Sequence, residues 1–129
     1  MVKKSKESKQ KVIEIQSITE KTFESFLENN ELVLIDIWAS WCPPCMAQGQ
    51  LFEKQGYKLL EKYPNLKIVK LNYDENPLIS QWLYKIEEIP TLIIVYKQKT
   101  AIMDAGTQSI KEISDYITLH INNIDNCKK

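Results

Sequence analysis

An α/β domain with a mixed central β-sheet flanked by helices on both faces, in the order β-α-β-α-β-α-β-β-α, is predicted from three features of the sequence. Two dense apolar runs, Leu32 to Trp38 and Leu92 to Tyr96, read as strands buried on both faces. Segments with apolar residues at helical spacing alternate with β-like segments around them. The last two strands are joined only by Lys97 to Thr100 and form a hairpin, which makes the sheet mixed. A chain of 129 residues, 43% hydrophobic and 26% charged, suits one domain with one core. That domain is placed at residues 11–125, between a Lys- and Ser-rich, disordered tail at 1–10 and a polar C-terminal tail at 126–129.

Each element has its own warrant. Val12, Ile13, Ile15 and Ile18 form a short β-leaning segment. Thr19 is an N-cap with Thr22 three residues on, and Phe23, Phe26 and Leu27 share one face of a helix over 19–29. Asn29 and Asn30 end it, and the strand through Trp38 follows. Leu51, Phe52, Leu59 and Leu60 predict a helix over 43–62, with a bend or break between Gly49 and Gly56, since each glycine costs about 1 kcal/mol relative to alanine. Leu66, Ile68, Val69 and Leu71 mark a strand to Tyr73, interrupted by Lys70. Asp74 to Pro77 is a turn that opens a short helix from Pro77 to Lys85. After the strand to Tyr96, Ala101 to Ala105 is its antiparallel partner, ended by Gly106. Ile110, Ile113, Ile117, Ile121 and Ile124 recur at helical spacing and predict an amphipathic helix over 108–123.

Composition narrows the function. Seventeen lysines balance seventeen acidic residues, so there is no net basic field for a nucleic-acid partner. Arginine is absent, which excludes bidentate guanidinium clamps. No run of 18 apolar residues predicts a membrane span, and no apolar core of a signal peptide follows the N-terminus. The expected location is the cytoplasm, without a membrane partner. Cysteines there are reduced by default, so a close pair points to redox or metal chemistry rather than a staple.

That pair is Cys42 and Cys45, at a strand-to-helix junction. A thiolate attacks a disulfide; a thiol does not. At a helix start, unpaired N–H groups and the positive end of the helix dipole favour the anion. Cys42 is therefore expected to be the exposed nucleophile, and Cys45, one turn further in, the more buried resolving thiol. Pro43 and Pro44 suit the first helical positions, where a missing N–H costs little. The spacing puts both sulfurs on one side of the helix start, within bonding reach. Zinc would need a second ligand pair, and the remaining candidates, His120 and Cys127, lack the usual ligand spacing. A structural disulfide is the other alternative. Cys127 otherwise reads as an exposed bystander, and His120 as a surface residue without a partner. Asp36, inside the apolar run, is either a strand-end carboxylate reaching water or a buried acid whose pKa desolvation raises; its place six residues before Cys42 favours the second.

Leu34-Ile-Asp-Ile-Trp-Ala-Ser-Trp-Cys-Pro-Pro-Cys45 resembles the active-site region of the thioredoxin family, as do Val69 to Pro77 and Ile89-Pro-Thr-Leu92. The likeness runs in order from about Val12 to Ile124 and implies the thioredoxin fold. It makes Cys42 the attacking and Cys45 the resolving cysteine of a Cys42–Cys45 disulfide. It makes Asp36 the acid that relays a proton with the resolving thiol, and Lys70 the lysine beside that acid. Pro90 takes the place of the family's cis-proline facing the cysteines, with the Ile89 backbone pairing to an extended substrate. Trp41 corresponds to the surface indole beside the cysteines, Trp38 to the one beneath them, and Gly106 to a glycine lining the binding groove. Pro43 and Pro44 complete that substrate-contacting surface.

Four departures stand out. Pro43 replaces the usual glycine between the cysteines, a main lever on redox potential. Met46 stands where lysine is frequent, Gln50 where a helix-kinking proline is frequent, and the Lys97 to Thr100 hairpin lacks Asn-Gly. The Trp-Cys-Pro-Pro-Cys string also resembles extracytoplasmic thiol reductases of cytochrome maturation. Those carry an anchor or signal and an insertion before the cis-proline, whereas the interval from Cys45 to Pro90 has thioredoxin length. Glutaredoxins fit less well.

The implied function is protein-disulfide reduction by dithiol–disulfide exchange, with no cofactor or metal. The implied partners are disulfide-containing proteins and a thioredoxin reductase-type electron donor, and the implied state is a monomer. A scaffold or chaperone on the same fold is the rival from another class; it would not need the paired cysteines, Asp36 or Pro90.

Overall fold

The structure is a computed structural model that describes residues 11–127. The expectation for 1–10 lies outside these residues. One five-stranded sheet has the order β1-β3-β2-β4-β5. Its strands are β1 (Gln16–Ser17), β2 (Leu32–Trp38), β3 (Leu66–Asn72), β4 (Thr91–Tyr96) and β5 (Lys99–Ile102). The helices are α1 (Glu20–Asn29), α2 (Pro43–Gln55), α3 (Tyr57–Lys62) and α4 (Ile110–Asn126). Strands β1, β3 and β2 are parallel, whereas β4 is antiparallel to β2 and to β5. This is the mixed sheet the apolar runs predict. Central β2 pairs along its whole length with β3, Asp36 lying opposite Lys70.

Alternation along the strands builds two cores. Leu32 and Leu34 of β2 join Leu92 and Ile94 of β4 under Phe52 of α2, Leu59 of α3, and Ile113 and Ile117 of α4. Val33, Ile35 and Ile37 face the opposite side with Ile93 and Val95, covered by Phe23 of α1 and Ile79. A strand residue buried on either face contributes about 1.5–3 kcal/mol, which explains why β2 and β4 contain almost no polar residues. Asp36 is the exception in β2, and it points to the first core's side of the sheet, as Leu34 does.

Several boundaries differ from expectation, each for a local reason. The N-terminal segment pairs only at Gln16–Ser17, because Ile13 donates its N–H to the Glu53 carbonyl at the end of α2 instead of to the sheet. The predicted helix over 43–62 runs unbroken through Gly49 and divides at Gly56. A Cβ at Gly49 would meet nothing within 4 Å. One at Gly56 would collide with the Phe52 carbonyl and lie 2.9 Å from Ile13 Cδ1. Gly49→Ala is expected to stabilise by about 1 kcal/mol, through helix propensity. Gly56→Ala is expected to destabilise by about 2 kcal/mol, through overpacking. Urea unfolding midpoints of the two variants check the opposite signs.

Around Leu78–Leu83 the predicted helix is a π-helical turn, in which Tyr84 donates to the Ile79 carbonyl five residues back. Strand β5 begins two residues earlier than predicted. Lys97 and Gln98 both take positive φ, 50° and 66°, so a two-residue turn returns the chain at once and Lys99 pairs with Tyr96. A turn of this kind ordinarily signals itself with glycine or asparagine, which are absent here.

Ser109 and Glu112 form a reciprocal capping box at the start of α4. The helix extends to Asn126, three residues past its predicted end and one into the predicted tail. Asp125 explains the extension, since its carboxylate accepts the Tyr96 hydroxyl at 3.0 Å. His120 is not a surface residue. It is 8% exposed, and its Nε2 lies 2.8 Å from the Lys99 carbonyl, so that nitrogen carries the proton.

Candidate active site

The carboxyl end of β2 positions the site. Beyond Trp38 the chain leaves the sheet through Ala39, Ser40 and Trp41 and enters α2 at Cys42. Tyr73 donates its N–H to the Trp38 carbonyl at 2.8 Å and carries the β2–β3 pairing one step further, up to the cysteines. Cys42 is the N-cap of α2, with Pro43 and Pro44 in its first turn, as their fixed φ and missing donor allow.

Cys42 and Cys45 form a disulfide, with Cα atoms 5.2 Å apart. The Cys45 N–H donates to Cys42 Sγ at 3.2 Å. This is one of the helix-terminal donors with no partner inside the helix, and it stabilises negative charge on that sulfur once the bond opens. Cys42 Sγ also lies 3.7 Å from the Ile89 carbonyl oxygen. The disulfide sulfur has no proton, so this is a packing contact in the oxidised protein. Cys42 is not exposed as expected: it is 4% exposed and Cys45 2%. Trp38, Tyr73 and Ile89 pack against the pair and close over it.

The facing wall comes from residues far along the chain. The Ile89–Pro90 peptide bond is cis. Gly106, at φ 117°, donates its N–H to the Pro90 carbonyl at 2.8 Å and secures that loop. No L side chain adopts such a φ without strain. Trp41 is 63% exposed, and its indole N–H donates to Asp74 at 2.6 Å. A groove of about 410 Å³ runs between Trp41 and Tyr73 on one side and Glu87 to Ile89, Ala105 and Gly106 on the other. Among the described residues no hydrogen bond takes the Ile89 N–H, and only the Cys42 sulfur approaches its carbonyl. The groove therefore offers an unpaired backbone edge beside the disulfide.

Asp36 is 2% exposed, and Oδ1 has no hydrogen-bond partner. Burial raises its pKa from 3.8 to about 7, against the opposing pull of the Lys70 ammonium. Lys70 makes no ion pair with it; its Nζ lies over the Trp38 ring, 5.2 Å from the centroid. Among the described residues, no group of three or more His, Cys, Asp or Glu side chains is placed to hold a metal ion. No helix among them is long and apolar enough to cross a membrane.

The structure thus gathers Trp41, Ile89 and Gly106 around the groove and puts Cys42 and Cys45 beside Ile89. It places Asp36 and Lys70 opposite each other on adjacent strands, without an ion pair between them. Pro43 and Pro44 are exposed on the first turn of α2. The sequence reading missed Tyr73, Asp74, Glu87 and Glu88, and also Gln48. Buried Gln48 accepts the Gln108 N–H at 2.7 Å and donates to the Gln108 carbonyl at 3.1 Å, which ties α2 to the segment after Gly106. A polar residue on the inner face of α2 was the only available signal for it.

Known proteins agree with this geometry. A family model described as Thioredoxin matches residues 14–119. A thioredoxin of Chlorobaculum thiosulfatiphilum is 38% identical over 105 residues, covering 80% of this chain and 93% of that protein. A thioredoxin of Buchnera aphidicola is 30% identical over 112 residues, covering 86% and 97%. The crystal structure of reduced Schistosoma mansoni thioredoxin superposes with a TM-score of 0.67 at 30% identity, covering 82% of this chain and 97% of that one. The Cys42–Cys45 pair is accordingly the redox-active disulfide of a thiol–disulfide oxidoreductase. With the family model spanning most of the chain and relatives aligned almost end to end, this protein belongs to the thioredoxin family.

Proposed function

We propose that this protein is a general protein-disulfide reductase with a Trp-Cys-Pro-Pro-Cys active site. The supporting observation is the position of Cys42 Sγ, 3.7 Å from the Ile89 carbonyl at the edge of the groove. An extended substrate segment that pairs with the free Ile89 backbone brings its own disulfide to that sulfur. Cys42, as thiolate, attacks one substrate sulfur, and the other leaves as a thiolate that takes up a proton. Cys45 loses its proton to Asp36 and attacks Cys42 Sγ, which releases the second substrate thiol. Two electrons pass to the substrate, and the Cys42–Cys45 disulfide forms. Lys70 favours the carboxylate form of Asp36 that accepts the Cys45 proton. Trp41, Pro43, Pro44, Pro90 and Gly106 shape the surface on which the substrate lies.

The reduced dithiol is regenerated by a thioredoxin reductase-type donor, without a bound cofactor. The proposal places a monomer in the cytoplasm, with residues 11–125 as the working domain. A reductant needs a continuous upstream supply of electrons, and the cytoplasm maintains one.

Direction is tested by equilibrating the Cys42–Cys45 pair with glutathione mixtures. A reductase should give a midpoint near that of thioredoxin, about −270 mV. A midpoint near the strong-oxidant limit, about −120 mV, would make the protein an oxidant and sink the proposal.

A further inference from the structure

We infer that the groove beside the disulfide selects substrates by charge: it favours disulfides flanked by lysine or arginine, and Glu87 and Glu88 set the preference. The inference rests on the reductase reading and adds to it the chemistry of the preferred substrate.

The two walls of the groove differ in charge. From Ile37 to Phe52 the chain carries no charged residue, so the segment that bears the cysteines brings no charge of its own to the groove. Glu87 and Glu88 lie on the facing wall, immediately before Ile89, and both are exposed. Neither takes part in an ion pair among the described residues. Asp74 adds a carboxylate at the mouth, held there by the Trp41 indole N–H. Asp104 lines the adjoining cavity together with both glutamates. Lys85 is the one cation among the residues that line the two cavities. Carboxylates therefore outnumber cations around the groove, although the chain as a whole is neutral.

The occupant of the groove is fixed independently of these acids, by the disulfide and the open Ile89 backbone. The acids decide which side chains that occupant carries best. In an extended segment, a residue one or two positions from the reacting cysteine lies roughly 3–7 Å along the strand. That is inside the screening length of about 8 Å at physiological salt, so its charge meets the field of the glutamates. The exchange is unchanged: two electrons still pass from the dithiol to the substrate disulfide. Only the encounter and alignment are biased.

The test uses three peptides with one intramolecular disulfide of equal ring size, flanked by two Lys, two Gln or two Glu. Single-turnover reduction by the pre-reduced protein is followed at low and high salt. Each rate is divided by the rate of the same peptide with dithiothreitol, which removes the peptide's own charge effect on its disulfide. The Lys peptide should outpace the Glu peptide by about three- to tenfold at low salt, and by less than about twofold at 0.5 M salt. E87Q/E88Q should flatten the order, and E87K/E88K should reverse it, each normalised to the Gln peptide with the same variant. Equal normalised rates in the wild type, or a preference unmoved by E87Q/E88Q, would overturn the inference. Failure to reduce even the Gln peptide would instead remove the reductase reading beneath it.

Discussion

Cys42→Ser is expected to lower the rate of protein-disulfide reduction by at least about a thousandfold, to background, because a serine hydroxyl is neither ionised nor nucleophilic toward sulfur at neutral pH. Cys45→Ser should behave differently. Cys42 still attacks, assisted by the Cys45-position N–H that the substitution leaves in place at 3.2 Å from its sulfur. The mixed disulfide then has no internal thiol to resolve it. In the native protein the resolving sulfur is one helical turn away, with Cα atoms 5.2 Å apart, so the second step is intramolecular. Such positioning is equivalent to an effective concentration of order 10⁵ M or more, far above any external thiol. Covalent complexes with substrate proteins should therefore accumulate in Cys45→Ser and disappear on adding reductant, as read on non-reducing gels. Substantial activity in Cys42→Ser, or complexes that accumulate there instead, would reverse the assignment of the two thiols. The burial of Cys42 sharpens this test. At 4% exposure in the disulfide form its sulfur presents little surface, so exchange depends on a substrate segment lying in the groove beside it.

What was legible in the sequence and what was not divides along one physical line. Strands β2 and β4 announced themselves because burial on both faces leaves no place for polar residues, and periodicity reports burial directly. The cysteine pair was legible because its partners sit three residues apart on one helical turn. The opposite wall was not. Trp41 meets Asp74, and Cys42 meets Ile89, only because β2 lies between β3 and β4. No local pattern encodes that. Resemblance pointed to Pro90 and Gly106, but nothing in the sequence singled out Glu87 and Glu88, which line the groove only once the chain is folded. His120 was misjudged for the same reason, since its partner is a backbone carbonyl of the hairpin. The Lys97–Gln98 turn failed differently: its residues take a conformation that their chemistry does not advertise, and the start of β5 moved with them.

Asp36→Asn is expected to stabilise the protein by about 4 kcal/mol at pH 8 and to have little effect near pH 3. The sign follows from where the protons sit. Burial, the dominant cause, holds the folded pKa near 7 against an ordinary value of 3.8, despite the opposing Lys70 charge. Between those values the folded state keeps a proton that the unfolded chain has lost. Stability therefore falls as pH rises from about 4 to 7, and above 7 the penalty is complete, at about 1.4 kcal/mol for each unit of difference. Asparagine cannot ionise, so its unfolding free energy should show no such slope. Denaturant titrations of both proteins from pH 3 to pH 9 read the difference directly; parallel curves would show that Asp36 ionises as freely in the folded protein as in the unfolded chain. The same substitution separates a proton relay from a structural role. If Asp36 accepts the Cys45 proton, the mixed disulfide should persist longer in the asparagine variant, most of all above pH 7, where the native carboxylate is free to accept. A lifetime that follows pH identically in both proteins would leave Asp36 as a buried charge with no part in the exchange. The unpartnered Oδ1 favours the relay, because a carboxylate oxygen with no fixed donor keeps a lone pair available for the incoming proton.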